Sequence, residues 1–280
     1  MALPFPPPAS LDSSFTLSRP TESDVDALAQ LYYEAFHKAR TATWWWAADA
    51  DVMVEWLRVR VKGKLADPTV RHFQVLDVSG KKRELVAFSR WDIPPGHEER
   101  FCGFMGKGDD ALDGTRDFAD GEKKEGEGEG EGEGEGEGEG EGNVATADVE
   151  ETVPAAVKTM VPPRGANPEL CHYFFGKLAE AGKRWKSSEM LVLSLLCTSP
   201  KYARRGAAKA MLAPMLAIAD EAGLRTYLEA TPAGYPVYEK LGFRPVEVLE
   251  FDVPALTGDS DWDGEQVDKL TVMIREPAPR

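Results

Sequence analysis

Apolar positions along this chain switch between a period of two and a period near 3.6, and the switches divide it into alternating strands and helices. Phe15–Arg19 alternates weakly before Pro20 and predicts a short first strand. Thr21 then offers a hydroxyl N-cap with Asp24 three residues on, and Val25, Leu28, Tyr32, Ala35 and Phe36 recur at helical spacing. A second helix is predicted over about Asp49–Lys64, with Val52, Trp56 and Val59 on its apolar stripe. Val70–Val78 and Glu84–Trp91 read as a hairpin around the turn Ser79–Lys82.

The pattern then stops. From about Gly96 to Gly165 the chain is rich in Gly, Asp, Glu and Pro, and residues 125–142 are nine consecutive Glu-Gly pairs. Alternate glycines maximise the entropy cost of ordering and like charges repel, so this acidic, low-complexity insertion is expected to stay disordered. A long flexible insertion adds little loop-closure entropy, so a fold can carry it. Residues 1–13 read as a second disordered segment, an N-terminal tail.

Order is expected to resume at Asn167-Pro168-Glu169, an N-cap, an N1 proline and a first-turn acid, opening a helix to about Lys183. Met190–Thr198 is the most apolar run and predicts a buried central strand. After it come a helix over Arg204–Glu221 ended by Gly223, a strand at Arg225–Ala230 and a short helix at Gly234–Leu241. The strands Phe243–Phe251 and Val267–Arg275 close the sheet. This order predicts one α/β domain over residues 14–276, a mixed central sheet of about seven strands flanked by helices and interrupted by the insertion.

Charge narrows the partners. The chain has 33 basic and 48 acidic residues, a net charge of −15, and without the nine repeat glutamates 33 basic residues still face 39 acidic ones. That balance lacks the basic excess expected of a nucleic-acid binder and suits a cationic partner such as an amine. Cys102, Cys171 and Cys197 are widely spaced and odd in number, forming neither a disulfide framework nor a CxxC metal pair. His37, His72, His97 and His172 show no HExxH or HxxxH spacing, so no metal site is expected. No apolar run approaches the roughly 20 residues that span a bilayer, and no membrane partner is expected. Met1–Ala9 is proline-rich and uncharged, unlike a targeting segment, which makes the cytoplasm, or else the nucleus, the expected compartment.

The segment with the clearest chemistry runs from Leu193 to Leu212. A buried strand enters a short loop with Arg204 and Arg205, then Gly206, Ala207 and Ala208, then a helix carrying Lys209. Helix-start N–H groups have no internal partner and the macrodipole places positive charge there, so this loop reads as an anion cradle. Neither the Walker spacing nor GxGxxG is present.

Together these residues resemble the acetyl-CoA-binding motif of the GNAT family of N-acetyltransferases, written Q/R-x-x-G-x-G/A, which Ala203–Ala208 matches except at its first position. Leu228–Phe243, with Tyr238-Glu239 and Gly242-Phe243 at its end, resembles the family's other signature, a strand and a helix ending in Tyr-Glu-x-x-Gly-Phe. The likeness is sharp over about Leu191–Phe251 and topological over Phe15–Trp91. It implies acetyl-CoA as co-substrate, with Arg204, Arg205, Gly206, Ala207, Ala208 and Lys209 holding the pyrophosphate, chiefly through N–H groups. It further implies that Leu196, Cys197 and Thr198 pair with the pantetheine arm, that the strand carrying them splays from Arg225–Ala230, and that Thr231 touches the cofactor. Tyr238 is the implied proton donor to the departing thiolate, a phenol whose pKa lies slightly above that of a thiol.

Two positions depart from the family pattern. Ala203 replaces a Gln or Arg, and Ser194 stands where several relatives carry a glutamate used as general base, leaving Glu229, Glu189, His172 or a water chain as candidates. The resemblance implies transfer of an acetyl group to a primary amine by direct attack in a ternary complex, the acceptor being a small molecule or a peptide. The alternative is a non-catalytic CoA-binding or interaction module on the same fold. Trp44, Trp45 and Trp46 fall where such acceptor sites are built, and at least one is expected to line a pocket for an ammonium group, the alternatives being core packing or a hydrophobic contact in a dimer.

Overall fold

The computed structural model describes residues 11–39, 42, 44–104, 160–258 and 267–279. Strand β1 (Phe15–Ser18) leads through a single 3-10 turn into helix α1 (Val25–Phe36), and helix α2 (Ala50–Leu65) follows. The capping box is present: Thr21 N–H donates to Asp24 Oδ2 at 2.7 Å. Helix α2 starts at Asp49, whose carboxylate accepts from the N–H groups of Asp51 and Val52. Its buried stripe is Met53, Leu57 and Val61, one residue out of phase with the sequence reading, and Val59 is 64% exposed. Val52 and Trp56 sit on the flank of that stripe, half-buried.

Strands β2 (Val70–Asp77) and β3 (Glu84–Asp92) form the expected hairpin. Helix α3 (Pro168–Trp185) is capped by Asn167, and strand β4 (Leu191–Thr198), helix α4 (Ala207–Ala222) and strand β5 (Thr226–Ala230) follow. The rest is helix α5 (Tyr235–Lys240), strand β6 (Arg244–Asp252), the short helix α6 (Val253–Thr257) and strand β7 (Val267–Arg275). Helix α6 was not expected, although Asp252 as N-cap and Pro254 in the first turn are its signals.

Seven strands form one sheet in the order β1-β2-β3-β4-β5-β7-β6, mixed because β4 and β5 run parallel and every other neighbouring pair antiparallel. Apolar residues of α4, among them Met211, Leu212 and Met215, cover one face with Phe73, Trp91, Leu193 and Leu228. Helices α1, α2 and α3 cover the other over Phe88, Leu195, Cys197, Tyr227 and Val272. Alternation along each strand therefore separates an α4 side from an α1–α3 side.

The described residues fall in one compact unit, Met1–Gly106 with Val153–Arg280, and the second unit, Lys107–Thr152, lies outside them. Residues 105–159, with the whole Glu-Gly repeat, are outside the described residues, as are residues 1–10 of the expected tail. Nearer the fold, Glu98–Phe104 forms 3-10 turns with Phe101 fully buried on the α4 side. Trp56 Nε1 donates to the Val161 carbonyl at 2.7 Å.

The tryptophans divide by depth. Trp44 and Trp45 are buried, Trp44 donating to Asp268 Oδ2 at 3.1 Å and Trp45 stacking on Phe174 at 5.1 Å between ring centroids. Trp46 is half-buried against Tyr32 and Tyr33. Two of the three thus pack the core beneath α3. Trp45→Ala is expected to lower unfolding free energy by about 3–5 kcal/mol in urea titration, as for other large buried aromatics. A loss under 1 kcal/mol would show that this ring is dispensable to the core.

Candidate active site

Strands β4 and β5 pair at only two positions, Leu191 with Thr226 and Val192 with Tyr227. Beyond them β4 stays bonded to β3 as far as Thr198, and β5 stays bonded to β7 as far as Ala230. Each strand keeps its outer neighbour and the two part from each other. A bulge falls at the same place: Arg90 faces Leu195 and Trp91 faces Leu193, so Ser194 has no residue opposite. Bulges bend a strand and increase its twist, which turns β4 away from β5. The result is a cleft with strand-edge N–H and C=O groups along both walls. Leu196, Cys197 and Thr198 lie on the β4 wall.

The loop after β4 ends beside this cleft. Pro200–Tyr202 forms a 3-10 turn fixed by Glu84, which accepts from Lys201 Nζ and Tyr202 Oη, each at 2.6 Å. Arg204 (φ 65°) and Gly206 (φ 86°) then take left-handed conformations, which cost Arg204 strain that Gly206 avoids. Gly206 is the N-cap of α4 and offers no side chain to the helix start. Among the described residues, none of the six backbone N–H groups from Arg204 to Lys209 donates a hydrogen bond. Six free donors at a helix start form a concavity for an anion.

The loop cations differ. Arg205 turns its guanidinium onto the segment before β1, donating to Asp12 Oδ2 at 2.7 and 3.0 Å and to Ser14 Oγ at 3.0 Å. It also lies over the Phe15 ring, 4.2 Å from the centroid. Arg205 therefore offers the cradle its backbone N–H, not its charge. Arg204 and Lys209 are exposed, and neither has a polar partner among the described residues.

Tyr238, buried on α5, lies within the field of the Cys197 thiol of the β4 wall. Its ring packs edge-on against Phe243 at 5.9 Å, and a Cβ on Gly234 would meet its Cε2 at 2.9 Å, so glycine is what leaves room for the ring. Burial, reinforced by the Cys197 thiol, raises the Tyr238 phenol far above its ordinary value. Its hydroxyl has no partner among the described residues and, unlike that of Tyr227, is not sealed off. Thr231 Oγ1 accepts from Gly234 N–H at 3.2 Å and so caps the α5 turn. Burial also pushes the Cys197 thiol well up, which keeps it neutral and unreactive.

Residues 149–252 match the family model described as an acetyltransferase (GNAT) domain. The chain carries a GNAT acetyltransferase domain. Arylalkylamine N-acetyltransferase 2 from Aedes aegypti superposes with a TM-score of 0.51 at 11% identity, covering 95% of this chain and 100% of that one. An acetyltransferase from Corynebacterium glutamicum, described as histone acetyltransferase HPA2 and related acetyltransferase, gives 0.46 at 18% identity over 95% and 98%. The paia N-acetyltransferase of Thermoplasma acidophilum, in complex with coenzyme A, gives 0.42 at 11% over 94% and 99%. No curated protein compared with the sequence matches it. The GNAT fold and domain imply acetyl-CoA-dependent acyl transfer, and the free amides of the α4 start fit a diphosphate.

On the α1–α3 side of the GNAT cleft the three candidate bases separate. Glu189 is exposed in the turn before β4, at the end where β4 and β5 are still paired. His172, on α3, is bonded through Nε2 to the Met160 carbonyl at 3.1 Å. Glu229 lies on β5 just beyond the last pair with β4, on the same face as Tyr227. Burial lifts its carboxyl to about 7 and Asp92 adds to the rise. The Tyr227 hydroxyl tempers it without completing a hydrogen bond of ordinary geometry. Ser194 Oγ accepts from Arg90 Nε at 2.9 Å, so this residue positions an arginine. Sequence reasoning missed Arg90, although a charge between Phe88 and Trp91 in a buried strand was a signal.

Among the described residues no group of His, Cys, Asp or Glu is arranged to hold a metal ion. A depression of about 280 Å³ bordered by Trp185, Arg225, Arg244 and Glu276 lies at the paired end of β4 and β5, away from the cleft.

The Asp12–Arg205 link is open to a pH test. Hydrogen bonds from Ser14, then from Arg205, lower the Asp12 carboxyl to about 2. A depressed carboxyl contributes stability above its unfolded value, near 4, and loses it as pH falls towards 2. Asp12→Asn is therefore expected to be less stable than the parent at pH 6 in urea unfolding, with the difference shrinking from about pH 4 downward. A difference independent of pH would show that the charge contributes nothing.

Proposed function

We propose that this protein is an acetyl-CoA-dependent N-acetyltransferase that acts on a primary amine by direct attack in a ternary complex. The observation that carries the proposal is the junction of two features: the parted β4–β5 walls and, at their open end, the unpaired N–H groups of Arg204–Lys209. Those amides, with the Arg204 and Lys209 charges, would hold the pyrophosphate, and the wall at Leu196–Thr198 would bond the pantetheine amides as a strand edge bonds a peptide. Thr231 has its O–H left to offer. The bound co-substrate supplies an activated acetyl thioester.

Glu229 takes the proton from the acceptor ammonium. Its value of about 7 leaves a large carboxylate fraction at neutral pH and a workable affinity for the proton. The amine nitrogen then attacks the carbonyl carbon, a β4 N–H donates to the carbonyl oxygen as charge develops there, and the C–S bond breaks. Tyr238 stays protonated throughout the neutral range and donates to the departing sulfur. An expected compartment in the cytoplasm or nucleus goes with this reading and is testable by tagged localisation.

Binding can be tested apart from chemistry. Ala208→Glu places a carboxylate at the second position of α4, where an acid favours the helix, and sets it against a diphosphate. Calorimetric titration of acetyl-CoA should give micromolar affinity for the parent and a loss of at least about 100-fold in the variant. No binding by a folded parent would remove the cradle assignment.

Turnover carries the second test. With Glu229 as base, kcat should rise with pH through about 7 and level off above it. Glu229→Gln should abolish that limb and lower kcat by about 100-fold or more, and Tyr238→Phe should lower kcat on a comparable scale. An unchanged profile in Glu229→Gln would sink its role. Acetyl-CoA binding without amine-stimulated CoA release would favour the non-catalytic module.

A further inference from the structure

The α1–α3 side of the sheet holds two guanidinium groups with no carboxylate on them among the described residues. Arg90, only 9% exposed, spends two donors on Ser194, to Oγ at 2.9 Å and to the carbonyl at 3.4 Å. Arg60, largely buried on α2, makes neither hydrogen bond nor ion pair among the described residues. Aromatic faces hold it, with Trp56 at 4.6 Å and Phe175 at 5.1 Å from its carbon. Burial and the charge of Arg90 both disfavour the charged state of Arg60. Yet an arginine does not give up its proton, so the charge stays. Tyr32 lies within the field of both, its ring edge-on to Phe88 and Trp46 at 6.4 Å, and its hydroxyl has no partner among the described residues.

In a chain with 48 acids to 33 bases, two neighbouring desolvated arginines without a carboxylate run against composition. Such charges are costly unless an anion meets them. They would also repel an acceptor whose only charge is an ammonium. Arg90 stands at the Ser194 bulge where β4 leaves β5, and Glu229 stands on the β5 wall of the same opening. One molecule with an amine and an oxyanion satisfies both ends.

We infer that Arg60, Arg90 and the Tyr32 hydroxyl form a carboxylate-binding subsite, and that the acceptor is a primary amine that also carries a carboxylate, as an amino acid does. The guanidinium forks suit a carboxylate bidentately, and a phenol adds a neutral donor. This inference rests on the acetyltransferase reading for its acceptor, but the anion site itself does not need turnover.

The test uses pairs that differ by the carboxylate alone: phenylalanine and phenethylamine, tryptophan and tryptamine, leucine and isopentylamine. Acetylation by the full chain should favour the carboxylated member by at least about tenfold in kcat/KM in one pair or more. Arg60→Gln should bring that ratio towards one through KM, and Arg60→Lys should restore part of it. In parallel, the N-acetylated form of each compound is titrated into the CoA-saturated protein by calorimetry. Tighter binding of the carboxylated products, lost in Arg60→Gln, supports the subsite even if no amine turns over, in which case only the catalytic reading fails. Equal binding of both members in every pair, or a preference that survives Arg60→Gln, overturns it even if the amines are acetylated.

Discussion

The parting of β4 and β5 after two residue pairs fixes where everything else in this protein can act. Two parallel strands in the middle of a sheet ordinarily satisfy each other's backbone along their full length, and buried N–H and C=O groups left unpaired are costly. Here each strand is held by its antiparallel neighbour on the far side, so the two cannot close without giving up those ladders. The bulge at Ser194 makes the divergence a property of the backbone. A ligand with peptide-like amides can supply what the missing pairing does not. Because the gap passes through the sheet, it joins the α4 side to the α1–α3 side, and two reactants can approach one point from opposite faces.

Positive charge is distributed to match. The chain as a whole is acidic, yet the described cations without acidic partners include Arg204 and Lys209 on the α4 side and Arg60 and Arg90 on the other. Arg205, between the first two, is neutralised by Asp12 and buttressed by Phe15, which ties the loop to the start of β1. Its role is to hold the backbone of the cradle in place while the amides face outward. Exposed cations without an acid cost little, as water solvates them, so what sets Arg60 and Arg90 apart is their burial.

The strands and helices were legible because hydrophobic period and caps act locally: Thr21, Asn167 and Gly223 each mark an end from their own chemistry, whereas the helix read from Arg204 begins only at Ala207, after the left-handed Gly206. The cradle was legible for the same reason, since its sequence is contiguous. What was not legible depends on distance. Placing β7 between β5 and β6 is a choice among antiparallel partners that the pattern of each strand permits equally. The Arg205–Asp12 contact spans 193 positions. Helix α2 was read one residue out of phase because Trp56 lies at the margin of the buried stripe, and that error hid Arg60, which sits one turn beyond it. Glu229 could be nominated among bases, but only the end at which the strands part separates it from Glu189.

Burial gives the two proposed proton carriers different duties from one cause. Withdrawal of water raises both the Glu229 carboxyl and the Tyr238 phenol. For a carboxyl the rise ends near neutrality, where it can accept a proton and release it again. For a phenol it ends beyond the physiological range, where the proton is always present to donate. Glu229 shares its face with Tyr227 on the α1–α3 side, and Tyr238 packs with Phe243 on the α4 side. In the proposed reaction the proton leaving the amine and the proton reaching the sulfur would thus be handled on opposite faces of the sheet. A single cleft open to both faces would serve both transfers, with the carbon undergoing substitution between them. Burial is the main cause for both, with Asp92 and the Cys197 thiol adding to it, so the tuning draws on neither Arg60 nor Arg90.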